Sequence, residues 1–474
     1  MKYIAIAALF WFSTASAQEI SCNNAEVKDA FTLALETVDI NVRRGILAAG
    51  AEYGGEWTRD IAINSWNGVS LLRPRVAERS LWSVTIMRDT IGHQYWDKIL
   101  WAIAAYHHYL VTGDREFLSQ AYRCSANTMN ELEKTTFDEA SGLFMGPSVF
   151  NDGIAGYPEP IYEPGNYSSS VLDFKNSSRI KCLSTNCVYY GAYSALCEMS
   201  NILQEKDRVV AEYREKAESL KQNILKHFYD PDENRCNYLL DQNGKADSSQ
   251  EALGLSFAVI FGIVDREQAE ALIRHAHVSK FGVTSIYPDF PRYSASKPGR
   301  HNNIIWPMVE GFFARAARIA GVDSAFTREF FSLTHLALDP DKGDYDFREV
   351  YNPYTGKPDG GFQDWGADKR DFHWESCRLQ TWSATAYLSM VLNGIMGFRF
   401  DQHSISFEPF MPAGIDSIAL RGISYRKATL NIAIRGEGKI IKKFSVDGRA
   451  RNEHSLDARI EGSHDIVIDV ESAK

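Results

Sequence analysis

The sequence of 474 residues lacks several features that define other functional classes. It has no Lys/Arg-rich run, and its 51 basic and 61 acidic residues give a formal net charge of −10. This balance argues against nucleic acid or an anionic membrane as a partner. After residue 17 there is no apolar, charge-free segment of about 20 residues, the length that a membrane-spanning helix needs. The sequence therefore predicts a chain that is not inserted in a membrane.

Cysteine is also scarce, with seven residues in the whole chain. These cysteines form no C-x-x-C pair and have no zinc-ligand spacing with histidine, so we predict no structural metal. Cys182 and Cys187 are close enough in sequence to close a small disulfide-bonded loop. An odd number of cysteines leaves at least one thiol unpaired.

Residues 1–17 have the pattern of an export signal. Lys2 supplies a positive charge, residues 3–12 are apolar, and Ala15-Ser16-Ala17 matches the small-x-small pattern of a cleavage site. The mature protein is therefore expected to begin at Gln18 and to be periplasmic or secreted.

Between residues 26 and 395 apolar residues recur at helical spacing, in pairs of segments separated by short turns. The predicted helices span 26–38, 60–72, 77–88, 96–111, 116–132, 187–203, 208–227, 252–263, 267–275, 306–319, 324–336 and 380–392. No repeat of fixed length is visible, which argues against a consensus solenoid. Six helical hairpins predict a mainly α chain with an (α/α)6 toroid over residues 18–400.

Two long helix-poor segments, 136–182 and 338–376, interrupt this pattern. Both contain aromatic residues as well as Gly and Pro, which is typical of ordered binding loops. After Phe400 the apolar period changes to two. Residues 401–474 are therefore predicted to form a small antiparallel, sandwich-like β module.

The first segment that could carry chemistry is residues 53–64, YGGEWTRDIAIN. A Gly-rich turn brings Trp57, Arg59 and Asp60 to the start of a helix. A carboxylic acid that protonates a glycosidic oxygen needs a raised pKa, which an apolar pocket beside a Trp supplies. The same segment is also explained if Asp60 caps the helix and pairs with Arg59.

The second segment is residues 346–356, DFREVYNPYTG, in the second long loop. It places Glu349 just before a Pro/Gly turn. A general base that activates water must be ionised and have polar neighbours, and Arg348 or Tyr351 could serve as such neighbours. A solvated Glu–Arg pair at the surface is the simpler interpretation.

The third segment is residues 301–307, HNNIIWP, at the start of a predicted helix. Asn302 and Asn303 offer amide groups to sugar hydroxyls, and Trp306 offers a stacking surface. The alternative is an ordinary helix start with Pro in its first turn. Glu310 lies inside the apolar helix that follows, so we interpret it as structural.

The three segments occur together, in this order, on a chain of helix pairs. In this respect the sequence resembles the inverting (α/α)6-toroid glycoside hydrolases, which include trehalase, processing α-glucosidase I and mannosylglycerate hydrolase. The resemblance covers about residues 45–400. It implies an exo-acting hydrolase that needs no cofactor and cleaves a glycosidic bond of an oligosaccharide or glycan with inversion.

The resemblance also implies roles for individual residues. It makes Asp60 the general acid and Glu349 the general base. The sequence departs from the family at the position before Asp60, which is Arg59. Residues 359–365 are also inserted and add a competing carboxylate, so Asp364 and Glu375 are reserve bases. The expected substrate-binding residues are Trp57, Arg59, Asp152, Asn302, Asn303, Trp306, Gln363, Trp365 and Trp382.

Two alternative functions fit the same pattern. A polysaccharide lyase or sugar epimerase on the same toroid would use His or Tyr to remove a carbon-bound proton, with His301 and His373 as candidates. A glycan-binding protein without activity would keep the aromatic and Asn residues but would need no paired acids. Asp152 itself, in the turn Asn151-Asp152-Gly153, is also explained as a turn residue.

Overall fold

The computed structural model describes residues 18–54, 57–92, 96–339, 341, 345–364 and 371–472. The predicted export signal, residues 1–17, and the predicted binding residue Trp365 lie outside the described residues. No helix in the described part of the chain combines the length and the apolar character needed to cross a bilayer.

Within the described residues, each of the twelve predicted helices is present, with bounds that differ from the prediction by a few residues. Two of them continue into a π-helical segment. The helix that begins at Thr58 continues through the π-helical residues Ser65–Val69 and then the α-helical residues Ser70–Leu72, and the helix that begins at Thr381 continues through Met390–Ile395. The helices are α1 (Ala25–Ile40), α2 (Thr58–Asn64), α3 (Pro74–Ser83), α4 (Leu100–Thr112), α5 (Arg115–Thr136), α6 (Leu183–Ile202), α7 (Asp207–Phe228), α8 (Ala252–Ile260), α9 (Arg266–His275), α10 (Pro307–Ala320), α11 (Asp323–Leu338) and α12 (Thr381–Ser389).

The even-numbered helices form a closed inner ring. Each contacts the next, α2 to α4 and onward to α12, and α12 contacts α2 again. Every residue of Thr58–Asn64 and of Thr381–Ser389 is buried, as expected for helices surrounded on all sides. The odd-numbered helices are amphipathic and bury one face against this ring, as in α5 and α7. The predicted (α/α)6 toroid is therefore confirmed.

The predicted C-terminal β module is also present, as two sheets that pack through the rings of Phe407 and Phe444, whose centroids are 5.6 Å apart. The strands are β1 (Glu19–Cys22), β2 (Phe398–Phe400), β3 (Ser404–Phe407), β4 (Ser417–Tyr425), β5 (Lys427–Arg435), β6 (Ile440–Val446), β7 (Arg449–Ala450), β8 (Ser455–Asp457) and β9 (Glu461–Glu471). A six-stranded sheet has the order β1-β4-β5-β9-β6-β7, and a three-stranded sheet has the order β2-β3-β8.

Two features of this module were not predicted. Its pairs are antiparallel except β5 and β9, which run parallel, with Lys427 opposite Glu461 and Arg435 opposite Asp469. The strand β1, from the start of the described chain, pairs with β4. The four residues of β1 precede a long helical region, and nothing in their sequence indicated that they would pair with a strand of the distant β module.

All seven cysteines carry free thiols, so Cys182 and Cys187 do not close the small loop that their spacing permitted. Cys182 is the last residue before α6, whereas Cys187 lies in its second turn and approaches the carbonyl oxygen of Gly254 at 3.9 Å.

The segments singled out in the sequence meet at one end of the inner ring. Trp57, Trp306 and Gln380 are the N-cap residues of α2, α10 and α12. The second long loop is tied to this end, because Ile305 and Tyr351 exchange backbone hydrogen bonds of 3.1 and 2.9 Å. Short helical turns and two-residue ladders show that the described parts of both long loops are ordered.

Candidate active site

A cavity of about 290 Å³ lies at this end of the inner ring. Its walls come from the turn before α2, the loop after α5, the segment before α10, and the loops that lead into α12. Eight of the predicted site residues line it, namely Trp57, Arg59, Asp60, Asp152, Trp306, Glu349, Gln363 and Trp382.

Asp60 lies in the first turn of α2 and is only 6% exposed. Burial raises the pKa of its carboxyl, the nearby charges of Asp152 and Glu349 act in the same direction, and Arg59 opposes them, so that the pKa lies at about 7. The helix-cap interpretation does not hold, since Trp57 occupies the N-cap position. Asp60 can therefore carry a proton at neutral pH while facing the cavity.

Glu349 lies in the second long loop and is also buried. Its Oε2 accepts a hydrogen bond of 2.6 Å from Nη2 of Arg300. The hydroxyl of Tyr53 donates to the same carboxylate, at 3.2 and 3.3 Å from its two oxygens. A buried carboxylate with a guanidinium and a hydroxyl donor is compensated in its ionised form.

The neighbours expected for Glu349 from the sequence were wrong. Arg348 donates to the backbone oxygen of Ser376 at 2.8 Å, and the hydroxyl of Tyr351 donates to the backbone oxygen of Asp346 at 3.0 Å. Both side chains hold the loop instead of contacting the carboxylate. The partner that does so, Arg300, is 49 residues distant in sequence.

A second charged group surrounds Arg59. Its two terminal nitrogens each lie 3.1 Å from a carboxylate oxygen, one of Asp97 and one of Asp152. His301 reaches Asp152 at 3.4 Å and Gln363 at 2.8 Å. Burial acts to raise the pKa of Asp152, but Arg59 and His301 outweigh it and hold that pKa below its ordinary value. The Asp152 side chain is 31% exposed, so it is the more accessible of the two cavity aspartates.

The side chains of Gln363 and His301 approach the backbone at position 153 so closely that only glycine fits there. A Cβ there would overlap the side chains of Gln363 and His301. Gly153 has extended backbone geometry and forms a β-bridge with Ser170, so the alternative interpretation of a turn does not describe this glycine, and the segment presents Asp152 to the cavity.

Aromatic rings form much of the remaining wall. Trp306 packs edge-on against Trp382 with centroids 5.5 Å apart, and it stacks with His301 at 5.2 Å. Its indole nitrogen donates to the backbone oxygen of Arg300 at 2.8 Å, which fixes the ring and the segment before α10 together. Such preorganised rings suit the apolar faces of sugars.

The structure places four other predicted residues outside the cavity lining. Asn302 is buried and accepts a hydrogen bond from the backbone of Phe290, so it holds a loop. Asn303 bonds to Asp289 and Tyr354. Glu375 is exposed, and Asp364, although buried, does not reach the cavity.

Sequence reasoning did not assign several residues that line the cavity. Each lies in or next to a segment already singled out, so proximity in sequence was the available signal. Their contribution depends on contacts between distant segments, which one sequence does not reveal. These residues include Tyr53, Phe150, Arg300, Trp374 and Gln380.

The cavity therefore combines three carboxyl groups in different charge environments with a wall of tryptophans. Such a set can supply both a proton donor and a proton acceptor. Over the described ranges of the chain, no group of three or more His, Cys, Asp or Glu side chains could hold a metal ion.

A toroid of six helical hairpins with carboxyls and tryptophans at one end of its axis fits the class of six-hairpin glycosidases. The family model for the mannosylglycerate hydrolase MGH1-like glycoside hydrolase domain matches residues 82–375, and the chain belongs to this family. The protein is thus a glycoside hydrolase, which confirms the resemblance read from its sequence. Membership of a hydrolase family disfavours the lyase, epimerase and binding-protein alternatives.

Solved structures show the same fold. The GH63 mannosylglycerate hydrolase from Thermus thermophilus in complex with glucose has a TM-score of 0.58 and 14% identity, over 76% of this chain and 99% of that chain. A sialidase has a TM-score of 0.68 and 15% identity, and the GH78 family rhamnosidase of Bacillus sp. GL1 has 0.60 and 12%.

The sialidase match covers 93% of this chain and the rhamnosidase match 97%, but this chain spans only 40% and 44% of those two chains. No curated protein matches the sequence. At these identities the structural likeness concerns the fold alone.

Proposed function

We propose that this hydrolase removes a terminal sugar from a glycan with inversion of the anomeric centre. The observation that carries the proposal is the contrast between two buried carboxyls of one cavity. Burial raises the pKa of Asp60 to about 7, whereas Glu349 is paired with the guanidinium of Arg300. One group can hold a proton while the other accepts one.

In this reaction the acid gives its proton to the glycosidic oxygen as the bond from that oxygen to the anomeric carbon breaks. Glu349 takes a proton from a water molecule, whose oxygen attacks the anomeric carbon from the opposite face. Inverting enzymes hold the two carboxyls about 6.5–9.5 Å apart to leave room for this water. The products are a sugar of inverted configuration and the released alcohol.

We assign the acid to Asp60 because of its raised pKa. Asp152 is the second candidate, since its side chain is 31% exposed and therefore more open to a leaving group. Its pairing with Arg59 and His301 favours the charged form in the free enzyme, which suits a role in binding sugar hydroxyls.

The size of the cavity supports action at a chain end. About 290 Å³ lies at the lower limit of ordinary small-molecule sites. Tryptophan walls and buried polar groups leave room for one terminal sugar ring, with the rest of the glycan outside. Because the pattern of residues 1–17 is that of an export signal, we propose that the enzyme acts in the periplasm or outside the cell.

The test is hydrolysis of a panel of glycosides by the purified protein, followed by proton NMR at early times. The family name makes mannosides of small acidic alcohols the first members of the panel. We expect release of a monosaccharide whose first-formed anomer is inverted. A first-formed anomer of retained configuration would overturn the two-carboxylate mechanism, and no release from any member would overturn the proposed activity.

The pH dependence of the reaction follows from the pKa of Asp60. A carboxyl with a raised pKa is protonated below about pH 7 and loses its proton above it. We therefore expect kcat/KM to fall tenfold per pH unit above about pH 7. A fall that begins below pH 6 would point to Asp152, whose pKa is held low, and a profile without any fall up to pH 9 would contradict both assignments.

A further inference from the structure

A cluster of aromatic and polar side chains lies outside the cavity lining. We call it the tyrosine patch, and it consists of His277, Tyr287, Asp289, Asn303 and Tyr354. Tyr287 and Tyr354 are 39% and 47% exposed, so both side chains are open to solvent. The ring of His277 stacks on Tyr287 with centroids 3.5 Å apart and planes 9° apart, which fixes the orientation of that tyrosine.

Polar contacts fix the other half of the patch. The hydroxyl of Tyr354 donates to Oδ2 of Asp289 at 3.1 Å, and the amide of Asn303 donates to the same oxygen at 3.1 Å. Asn303 is only 3% exposed. Within the described part of the chain, Oδ1 of Asp289 and Oδ1 of Asn303 are buried and have no hydrogen-bond partner. The patch thus combines two exposed aromatic rings with a polar network that holds Tyr354.

The patch belongs to the same two segments as the cavity wall. Asn303 follows His301 by two residues, and Tyr354 follows Glu349 by five. Five residues of extended chain span at most about 17 Å, which limits the distance between the Cα atoms of Glu349 and Tyr354. The backbone bonds between Ile305 and Tyr351 join the two segments between these points.

We propose that the tyrosine patch is a subsite for a distal sugar of the glycan, a proposal that rests on the proposed function. Exposed, immobilised tyrosine rings present flat apolar faces on which a pyranose can stack. Asp289 and Asn303 each form a hydrogen bond with the hydroxyl of Tyr354 and so hold that ring in place. The terminal sugar is held in the cavity while a sugar farther along the chain lies on the patch.

The experiment compares an aryl glycoside, which has no distal sugar, with an oligosaccharide of the same terminal sugar. We expect Tyr287→Ala and Tyr354→Ala to raise KM for the oligosaccharide about fivefold to tenfold and to leave kinetics on the aryl glycoside unchanged. The control is Tyr345→Ala, because Tyr345 is 46% exposed but lies outside the patch. This control should leave the kinetics on both substrates unchanged.

Other outcomes are equally informative. Equal losses on both substrates would show that the patch only supports the Glu349 loop, and no change on either would also overturn the proposal. Calorimetric binding of the oligosaccharide to Glu349→Gln protein, with and without Tyr287→Ala, gives a readout that needs no turnover. Unchanged affinity there would reject the subsite, whereas absence of hydrolysis in every protein would reject the proposed function instead.

Discussion

Replacing Glu349 by Gln should lower kcat on the best glycoside by about 10²–10⁴-fold, the range that general acid–base groups contribute. The substitution keeps an oxygen that can accept the hydrogen bonds from Arg300 and Tyr53, so the fold should survive. It removes the charge that, in the proposed mechanism, takes a proton from water. KM should change little, because the loss concerns the reaction step.

The measurement is steady-state kinetics together with the unfolding temperature of each variant. Glu453→Gln is the matched control, since Glu453 is exposed in the β module, and it should retain full activity. Glu375→Gln is the informative comparison, because Glu375 is exposed and outside the cavity lining. A large loss in Glu375→Gln with an active Glu349→Gln would reassign the base.

Much of the fold could be predicted because helix signals are local. Apolar residues at helical spacing predicted each of the twelve helices found in the described residues. Because these helices come as six consecutive pairs, they also indicated the toroid. The strand Glu19–Cys22 was missed because its partner, Ser417–Tyr425, lies almost 400 residues away. Parallel pairing of Lys427–Arg435 with Glu461–Glu471 was missed for the same reason, since register between distant strands depends on tertiary packing.

Prediction of the site had the same limit. Asp60 and Glu349 could be singled out because each lies in a distinctive segment, and the structure places both at one cavity. Arg348 or Tyr351 was expected to be the polar neighbour of Glu349, whereas the guanidinium that pairs with Glu349 belongs to Arg300. Asn303 was predicted in the cavity, but its amide bonds to Asp289. A sequence shows which residue types are near each other along the chain, and not which side chains face one another.

The second large effect concerns the identity of the acid and uses a leaving group that needs no proton. Asp60→Asn should lower kcat on an ordinary glycoside by about 10²–10⁴-fold. On the glycosyl fluoride of the same sugar, the same substitution should lower kcat by less than about tenfold, because fluoride departs without protonation. Burial raises the pKa of Asp60 to about 7, and in the proposed mechanism Asp60 holds the proton that this step consumes.

Asp152→Asn should behave differently. Because Asp152 is paired with Arg59 and His301 and its pKa lies below the ordinary value, we expect it to bind the sugar in its charged form. Loss of a binding contact affects glycoside and fluoride alike, so the two rates should fall by similar factors. The reverse pattern, with the fluoride spared only in Asp152→Asn, would assign the acid to Asp152 and leave Asp60 as a binding group. Equal losses of rate on both substrates in both variants would exclude both Asp60 and Asp152 as the proton donor.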